Sequence, residues 1–252
     1  MSSTKSILSL EKALSIIEIM ANDTTPMRLL DIANTAGIPT STALRLVGTL
    51  QAKGYVCQDP ATARYYLSLK LFHIGNRICS GLSITYIAKP YLKELAAQTG
   101  HSVNLAVHQD YHAFIVNVTP SFSENGTITT YPGRAVPLHS SAIGRALMFD
   151  YTPEQIDEYL ETVPLTAYTA LSILDRETLI LELERSRKRG YTYDPGELRP
   201  GIVGIGAPIL DQFGHPIASI SVAELSSAIT PELNDSLSQA IIQTTKKISS
   251  II

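Results

Sequence analysis

Residues 28–67 read RLLDIANTAGIPTSTALRLVGTLQAKGYVCQDPATARYYL, and this stretch decides the fold at the front of the chain. Leu29, Leu30, Ile32, Ala33 and Ala36 form an apolar stripe on a short helical segment that also carries Arg28, Asp31, Asn34 and Thr35. Gly37 follows, where a helix end commonly needs a left-handed residue. Pro39 suits a first helical position, because its missing N–H is lost to no partner there. The second helix, residues 39–52, has two faces. Ala43, Leu46, Val47 and Leu50 recur at core spacing, while Thr40, Ser41, Leu44, Arg45 and Gly48 fall on the other side. Short hydroxyls and an arginine near a helix start suit a major groove: hydroxyls and backbone N–H groups take phosphate oxygens, and a guanidinium forks onto a guanine edge.

Lys53-Gly54 closes that helix. Residues 55–58 and 64–67 then read as two strands around Asp59-Pro60-Ala61-Thr62. A β-ribbon directly behind such a helix is a wing, and Arg64 at its return turn is placed to reach a phosphate or the minor groove. The DNA-contacting set expected from this stretch is Arg28, Thr40, Ser41, Thr42, Leu44, Arg45 and Arg64. The plainer alternative is an ordinary helical pair followed by a hairpin.

The charge distribution separates the two ends of the chain. The protein has 252 residues, 44% hydrophobic and 17% charged, with a net charge of −3. Residues 1–83 carry eight Lys/Arg against five Asp/Glu, a surplus of +3, and the remainder is acidic. Affinity for phosphate therefore belongs to the front, and a surplus this modest favours two copies reading two half-sites. No apolar stretch reaches the roughly 18–20 residues of a membrane span, and the start lacks the apolar core of a secretory signal. A cytoplasmic chain without membrane contact is expected. Cys57 and Cys79 read as reduced, semi-buried thiols in separate elements.

Around this nucleus, Leu10, Leu14, Ile17 and Ala21 mark a preceding helix over residues 9–21, whose apolar face is expected to complete a three-helix core. Leu69, Leu71, Phe72, Ile74 and Ile78 mark a connecting helix that ends near Gly81. The expected organisation is α+β. It comprises a winged helix-turn-helix over 1–68, a linker helix over 69–84 and a second domain over 85–252.

The second domain reads as a helix over 86–99 containing Pro90, then a hairpin of 101–108 and 113–118. Helices follow near 140–150, 153–160 and 176–189, then strands at 202–210 and 217–222, then a terminal helix from 231. The last two strands have an unusual alternation. Gly204 and Gly206 share a face of one strand with Ile202, and Ser219, Ser221 and Ala223 share a face of the other. Such small faces admit either a ligand or a closely docked helix. The helix after Pro137 opens on Ser140-Ser141, and the free N–H groups of Ser141, Ala142 and Ile143 make an anion site that needs no basic side chain.

Taken in order, several motifs resemble the IclR family of transcriptional regulators across nearly the full length. They are Gly37-Ile38-Pro39-Thr40-Ser41-Thr42 with Arg45 and Leu50, Tyr65-Tyr66-Leu67, and Leu71-Phe72-His73-Ile74-Gly75. Further on come Val136-Pro137-Leu138-His139-Ser140-Ser141-Ala142-Ile143-Gly144-Arg145-Ala146, Arg189-Gly190-Tyr191, Asp194, Glu197, Gly201, Ala207-Pro208-Ile209, and Ile217-Ala218-Ser219-Ile220-Ser221-Val222. The resemblance implies a GAF-like α/β effector-binding domain behind the linker, and dimers that pair into tetramers. It also implies an effector pocket formed by the helix start at Ser141, Ala142 and Ile143 with Asp194, Gly204, Ser221 and Ala223. Asp194 is unsuited to a carboxylate but accepts hydrogen bonds from hydroxyls, so a hydroxylated, sugar-derived or aromatic acid is the expected effector. Where relatives carry Cys or a bulkier residue this chain has Gly204, and Ala223 stands where they carry a polar one, which implies a roomier, less polar pocket.

Other constellations carry less. His139 beside Ser140 and Ser141 lacks the strand–Ser–helix elbow of a hydrolase. His108 and His112 lie on a hairpin without further metal ligands, and Gly201, Gly204 and Gly206 precede no helix, as a dinucleotide site would require. No catalytic residue, metal or cofactor is assigned. The expected function is a sequence-specific DNA-binding regulator, a repressor in the commonest form, controlled by a small-molecule effector. The alternatives are an enzyme with an accessory winged helix and a winged helix used for protein interaction.

Overall fold

The computed structural model describes residues 6–23, 25–121 and 130–252, with the side chains of Cys79 and Ser80 outside the described set. The chain divides into two compact units, residues 1–81 and 82–252. Among the described residues no helix is long and apolar enough to cross a membrane.

The first unit holds α1 (Leu8–Asn22), α2 (Leu29–Thr35), α3 (Thr40–Ala52), a ribbon of β1 (Val56–Gln58) and β2 (Tyr65–Leu67), and α4 (Leu69–Gly81). Gly37 takes φ +62°; its N–H donates to Asn34 O and that of Ile38 to Ala33 O, which terminates α2. Gly54 ends α3 by the same device, with Tyr55 N–H donating to Leu50 O at 2.8 Å. Pro39 caps α3 from outside the helix instead of occupying its first turn, because its ψ of 141° is extended. β1 and β2 pair antiparallel, with Cys57 opposite Tyr66, and Met27 exchanges two backbone hydrogen bonds with Tyr65. Cys57 is half-buried and free; the Cys79 side chain lies outside the described residues.

The core of this unit joins Ile16, Met20, Met27, Ile32, Val47, Leu50, Val56 and Tyr65. This corrects the expected face of α1: Leu10 and Leu14 are about half exposed, while Ile16 and Met20 are buried. The helix has two apolar stripes, and the one two residues further along meets α2 and α3.

The second unit starts with α5 (Ser83–Thr99), three residues earlier than expected, with Pro90 on its exposed side. Its sheet has six antiparallel strands in the order β5-β4-β3-β8-β7-β6. These are β3 (Val103–Gln109), β4 (His112–Thr119), β5 (Ala135–Pro137), β6 (Thr192–Asp194), β7 (Ile202–Leu210) and β8 (Pro216–Leu225). β3 and β4 meet at a two-residue turn, Asp110-Tyr111, with φ of 49° and 62°, the conformation that matches strand twist. The three-residue edge strands β5 and β6 were not expected; they are too short for alternation to register.

Helices α5 and α9 (Pro231–Ser249) pack against the sheet, and α6 (Ala142–Leu147) packs on the small-residue strands β7 and β8. α7 (Pro153–Thr162) opens on a Thr152/Gln155 capping box. α8 (Arg176–Arg189) opens on the Asp175 carboxylate and ends on Arg187, Lys188 and Arg189, charges that oppose its dipole. A core of Ala106, Ile115, Val136, Leu138, Leu147, Met148, Ile156, Tyr159, Leu179 and Leu183 ties α6, α7 and α8 to β3, β4 and β5.

Candidate functional site

In the first unit the exposed side of α3 presents Thr40, Ser41, Leu44, Arg45 and Gly48, and Thr42 is half-buried at its margin. Leu44 is 53% exposed although apolar, which suits contact with a thymine methyl. Nothing lies within 4 Å of a Cβ built on Gly48, so this face is open to close approach. The three arginines differ. Arg28 is paired with Asp31 at 2.9 Å and holds that carboxyl below its usual range. Arg64 donates from Nη1 to the Pro26 carbonyl at 3.0 Å, so it braces the wing instead of extending from it as expected. Arg45 is exposed and its guanidinium has no partner among the described residues.

In the second unit, Ser141, Ala142, Ile143, Asp194, Gly204, Ser221 and Ala223 all line one cavity of about 620 Å³, mouth included. The strand register explains the convergence. Gly204 pairs with Asp194 on one side and Ala223 on the other, and Ser221 pairs with Gly206 and with Asn104.

The small sheet face does both things that alternation allows, in different halves. Gly206 and Ser219 dock α6: a Cβ on Gly206 would sit 3.0 Å from the Ala142 carbonyl oxygen, and the Ser219 hydroxyl donates to Ile143 O at 2.8 Å. Thr192 adds a bond to Ala142 O at 2.7 Å. The half bearing Gly204, Ser221 and Ala223 is left to the cavity. Gly204 does not leave the extra room expected of it, because a Cβ there would meet the Ala142 methyl at 3.2 Å: α6 fills the space.

The anion argument also changes. α6 has only six residues, too short for a substantial dipole, and the Ser141 hydroxyl caps the Gly144 N–H at 3.2 Å. The basic side chains thought unnecessary are present: Arg134 and Arg199 both line the cavity, and neither forms an ion pair among the described residues. Asn104, Thr130, Leu198 and Ile202 complete the lining that sequence reasoning missed. These residues sit in irregular segments or on an unremarkable strand, and only the closed fold assembles them.

Behind the cavity, Arg145 is fully buried and bonded to Glu197 at 2.8 Å, to His139 O at 2.9 Å and to Tyr193 O at 2.5 Å. It fastens α6 to the segment after β6. Burial pushes the carboxyls of Asp194 and Glu197 up, and the Arg145 charge opposes that rise in both. Asp194 Oδ1 also accepts the N–H groups of Gly196 and Glu197, at 2.9 and 2.6 Å.

His139, 1% exposed, bonds Tyr159 Oη through Nδ1 at 2.6 Å. Burial, reinforced by Arg145, lowers its imidazole from 6.5 to about 4. The unfolded chain therefore takes up this proton first. The stability His139 contributes is complete above pH 6.5 and is lost as pH falls toward 4, a total of about 3 kcal/mol. Urea titrations at pH 7.5 and 5 should show the wild type losing about 2 kcal/mol more than His139→Asn, which keeps a polar atom near Tyr159 but cannot be protonated there. Equal losses would contradict a neutral buried His139. His139, Ser140 and Ser141 are all buried, and His139 engages Tyr159 and not either serine, so no nucleophile and base are formed.

The chain is similar to two family models. The IclR helix-turn-helix domain matches residues 9–60, and the bacterial transcriptional regulator IclR C-terminal domain matches residues 76–250. It is 28% identical to the transcriptional repressor IclR of Escherichia coli over 98% of this chain and 90% of that protein. The crystal structure of the Thermotoga maritima IclR superposes with a TM-score of 0.79 at 26% identity, covering 98% of this chain and 99% of that one. An IclR homologue from Microbacterium hydrocarbonoxydans, crystallised with 4-hydroxybenzoate, shares the fold with a TM-score of 0.80 at 22% identity, over 96% and 98% of the two chains.

Proposed function

This chain belongs to the IclR family of bacterial transcriptional regulators, and on that premise we propose a repressor whose grip on its operator is set by a small organic acid in the cavity of the second unit. The observation that carries this reading is the cavity itself. It is polar at selected points, walled by Ile115, Val136, Leu198 and Val222, and lined by two arginines without carboxylate partners among the described residues. Hydroxylated, sugar-derived and aromatic acids fit that description, and the 4-hydroxybenzoate held by the Microbacterium relative is one such acid.

Thr40, Ser41, Thr42, Leu44 and Arg45 meet the major groove, with Arg28 and Arg64 flanking. The unit works as a pair. Ile7, Leu8, Leu10 and Leu14 on and before α1, and Leu69, Phe72 and Ile78 on α4, are more than half exposed, surface that a second copy would cover. Two copies reading half-sites about 34 Å apart specify a roughly palindromic operator, and two such dimers form the tetramer. Effector binding biases the spacing of the DNA-binding units through the linker, a coupling on the order of 1–3 kcal/mol.

Fluorescence anisotropy with the DNA upstream of this protein's own gene, against a shuffled competitor at two salt concentrations, tests the reading. Preferential binding that weakens with salt is expected. Arg45→Ala should lower operator affinity by about 1–3 kcal/mol with unchanged melting, because its side chain supports nothing inside the unit. Unchanged affinity would remove α3 as the reading helix, and absence of binding at low salt would favour a protein-interaction module.

A further inference from the structure

The polar groups of the cavity are sorted by depth. Asp194 and Asn104 are more than nine-tenths buried, whereas Arg134 is half-buried and Arg199 exposed. The two arginines reach the opening from opposite ends of the sheet. Arg134 immediately precedes β5 at one edge, and Arg199 belongs to the segment that follows β6 at the other. Burial and the charge of Arg199 both make the Arg134 guanidinium harder to protonate, so two like charges face each other across the opening. An anion between them relieves that repulsion and satisfies planar donors that match a carboxylate.

The floor asks for the opposite chemistry. Asn104 Oδ1 is buried without a hydrogen-bond partner, as is Thr130 Oγ1. Asp194 Oδ2 lies 3.8 Å from the Cβ position of Gly204 on the sheet floor. These are acceptors, and an acceptor left unpaired in a buried site is costly, so the floor is suited to a ligand's O–H. Between the two poles stand Ile115, Val136, Ile202 and Val222. A chain of several hydroxyls would strand most of them against these aliphatic walls.

We propose that Arg134 and Arg199 are a guanidinium clamp for the effector's carboxylate, that Asp194 and Asn104 receive a hydroxyl at its far end, and that the effector is a hydroxy acid with an apolar spacer between the two. This rests on reading the cavity as the effector site. It narrows that reading by excluding polyhydroxylated acids and by assigning the anion to side chains instead of the α6 terminus.

Isothermal titration of the full-length protein with four probes tests it: 4-hydroxyphenylacetate, phenylacetate, 4-hydroxyphenylacetamide and gluconate. For the wild type, 4-hydroxyphenylacetate should bind best. Loss of its charge in the amide should cost about 30-fold or more, and loss of its hydroxyl about 10-fold. Arg134→Gln and Arg199→Gln should each weaken 4-hydroxyphenylacetate about 10-fold while changing amide binding less than about 2-fold, so discrimination by charge collapses. Neither side chain has a bonded partner among the described residues, so melting should be unchanged. Equal affinity of wild type and both variants for the acids would overturn the clamp and leave the effector reading standing. Tighter binding of gluconate than of 4-hydroxyphenylacetate would overturn the apolar spacer. Failure of every acid at about 5 mM would overturn the effector reading itself, and the clamp with it.

Discussion

Arg145→Ala should destabilise the effector domain by about 3–5 kcal/mol, measured as a fall in the urea midpoint of its transition. The substitution leaves Glu197, 3% exposed, without its only ion-pair partner, and it removes the donors to the carbonyls of His139 and Tyr193. It also deletes the positive charge that opposes the upward push of burial on Asp194 and Glu197. Arg145→Met combined with Glu197→Leu should recover most of the loss, because no buried charge remains to be compensated. A single variant as stable as the wild type would mean that the segment after β6 rearranges to hydrate Glu197. The double variant should still bind effector poorly, since that segment carries Leu198 and Arg199 to the cavity.

Gly144→Ala should cost about 3 kcal/mol, and lower the melting temperature of the same domain by about 6–12 °C. A Cβ at this position would lie 2.4 Å from the carbonyl oxygen of Leu138 and 2.7 Å from its Cα, closer than any real contact. The obstacle is backbone on both sides, so relief requires α6 to move off the chain at 138–140 and to strain the bonds that pin it to β6 and β8. Gly48→Ala is the contrasting case. Nothing lies within 4 Å of its Cβ in α3, and the change should stabilise the first unit by about 0.5–1 kcal/mol. Similar melting shifts in both variants would refute the steric account.

The front unit was legible because its signals are local. Gly37, Pro39 and Gly54 punctuate α2 and α3 within single turns, and the ribbon follows after a few residues. The wrong face was assigned to α1 because Leu8, Leu10, Leu14, Ile16, Ile17 and Met20 surround most of that helix. Periodicity finds stripes but does not say which one has a neighbour. In the second unit, the strand alternation and the motif resemblance brought seven residues to one cavity, since a register of two fixes which side chains share a face. Arg134 and Arg199 are 65 positions apart in irregular chain, and no pattern links them before the sheet closes. Arg145 did leave a trace: it is the lone charge in Ala142-Ile143-Gly144-Arg145-Ala146-Leu147-Met148, a run too apolar to hold a solvated arginine.

The split of the small-residue face between helix docking and ligand contact has an evolutionary consequence. Gly206, Ser219 and Thr192 bear the attachment of α6, whereas Asn104, Ser221 and Ala223 touch only the cavity side of the same strands. Substitutions in the second group alter what the domain recognises without loosening the helix that closes it. A lineage can thus exchange one inducer for another through folded intermediates, keeping the scaffold under purifying selection while its chemical taste drifts.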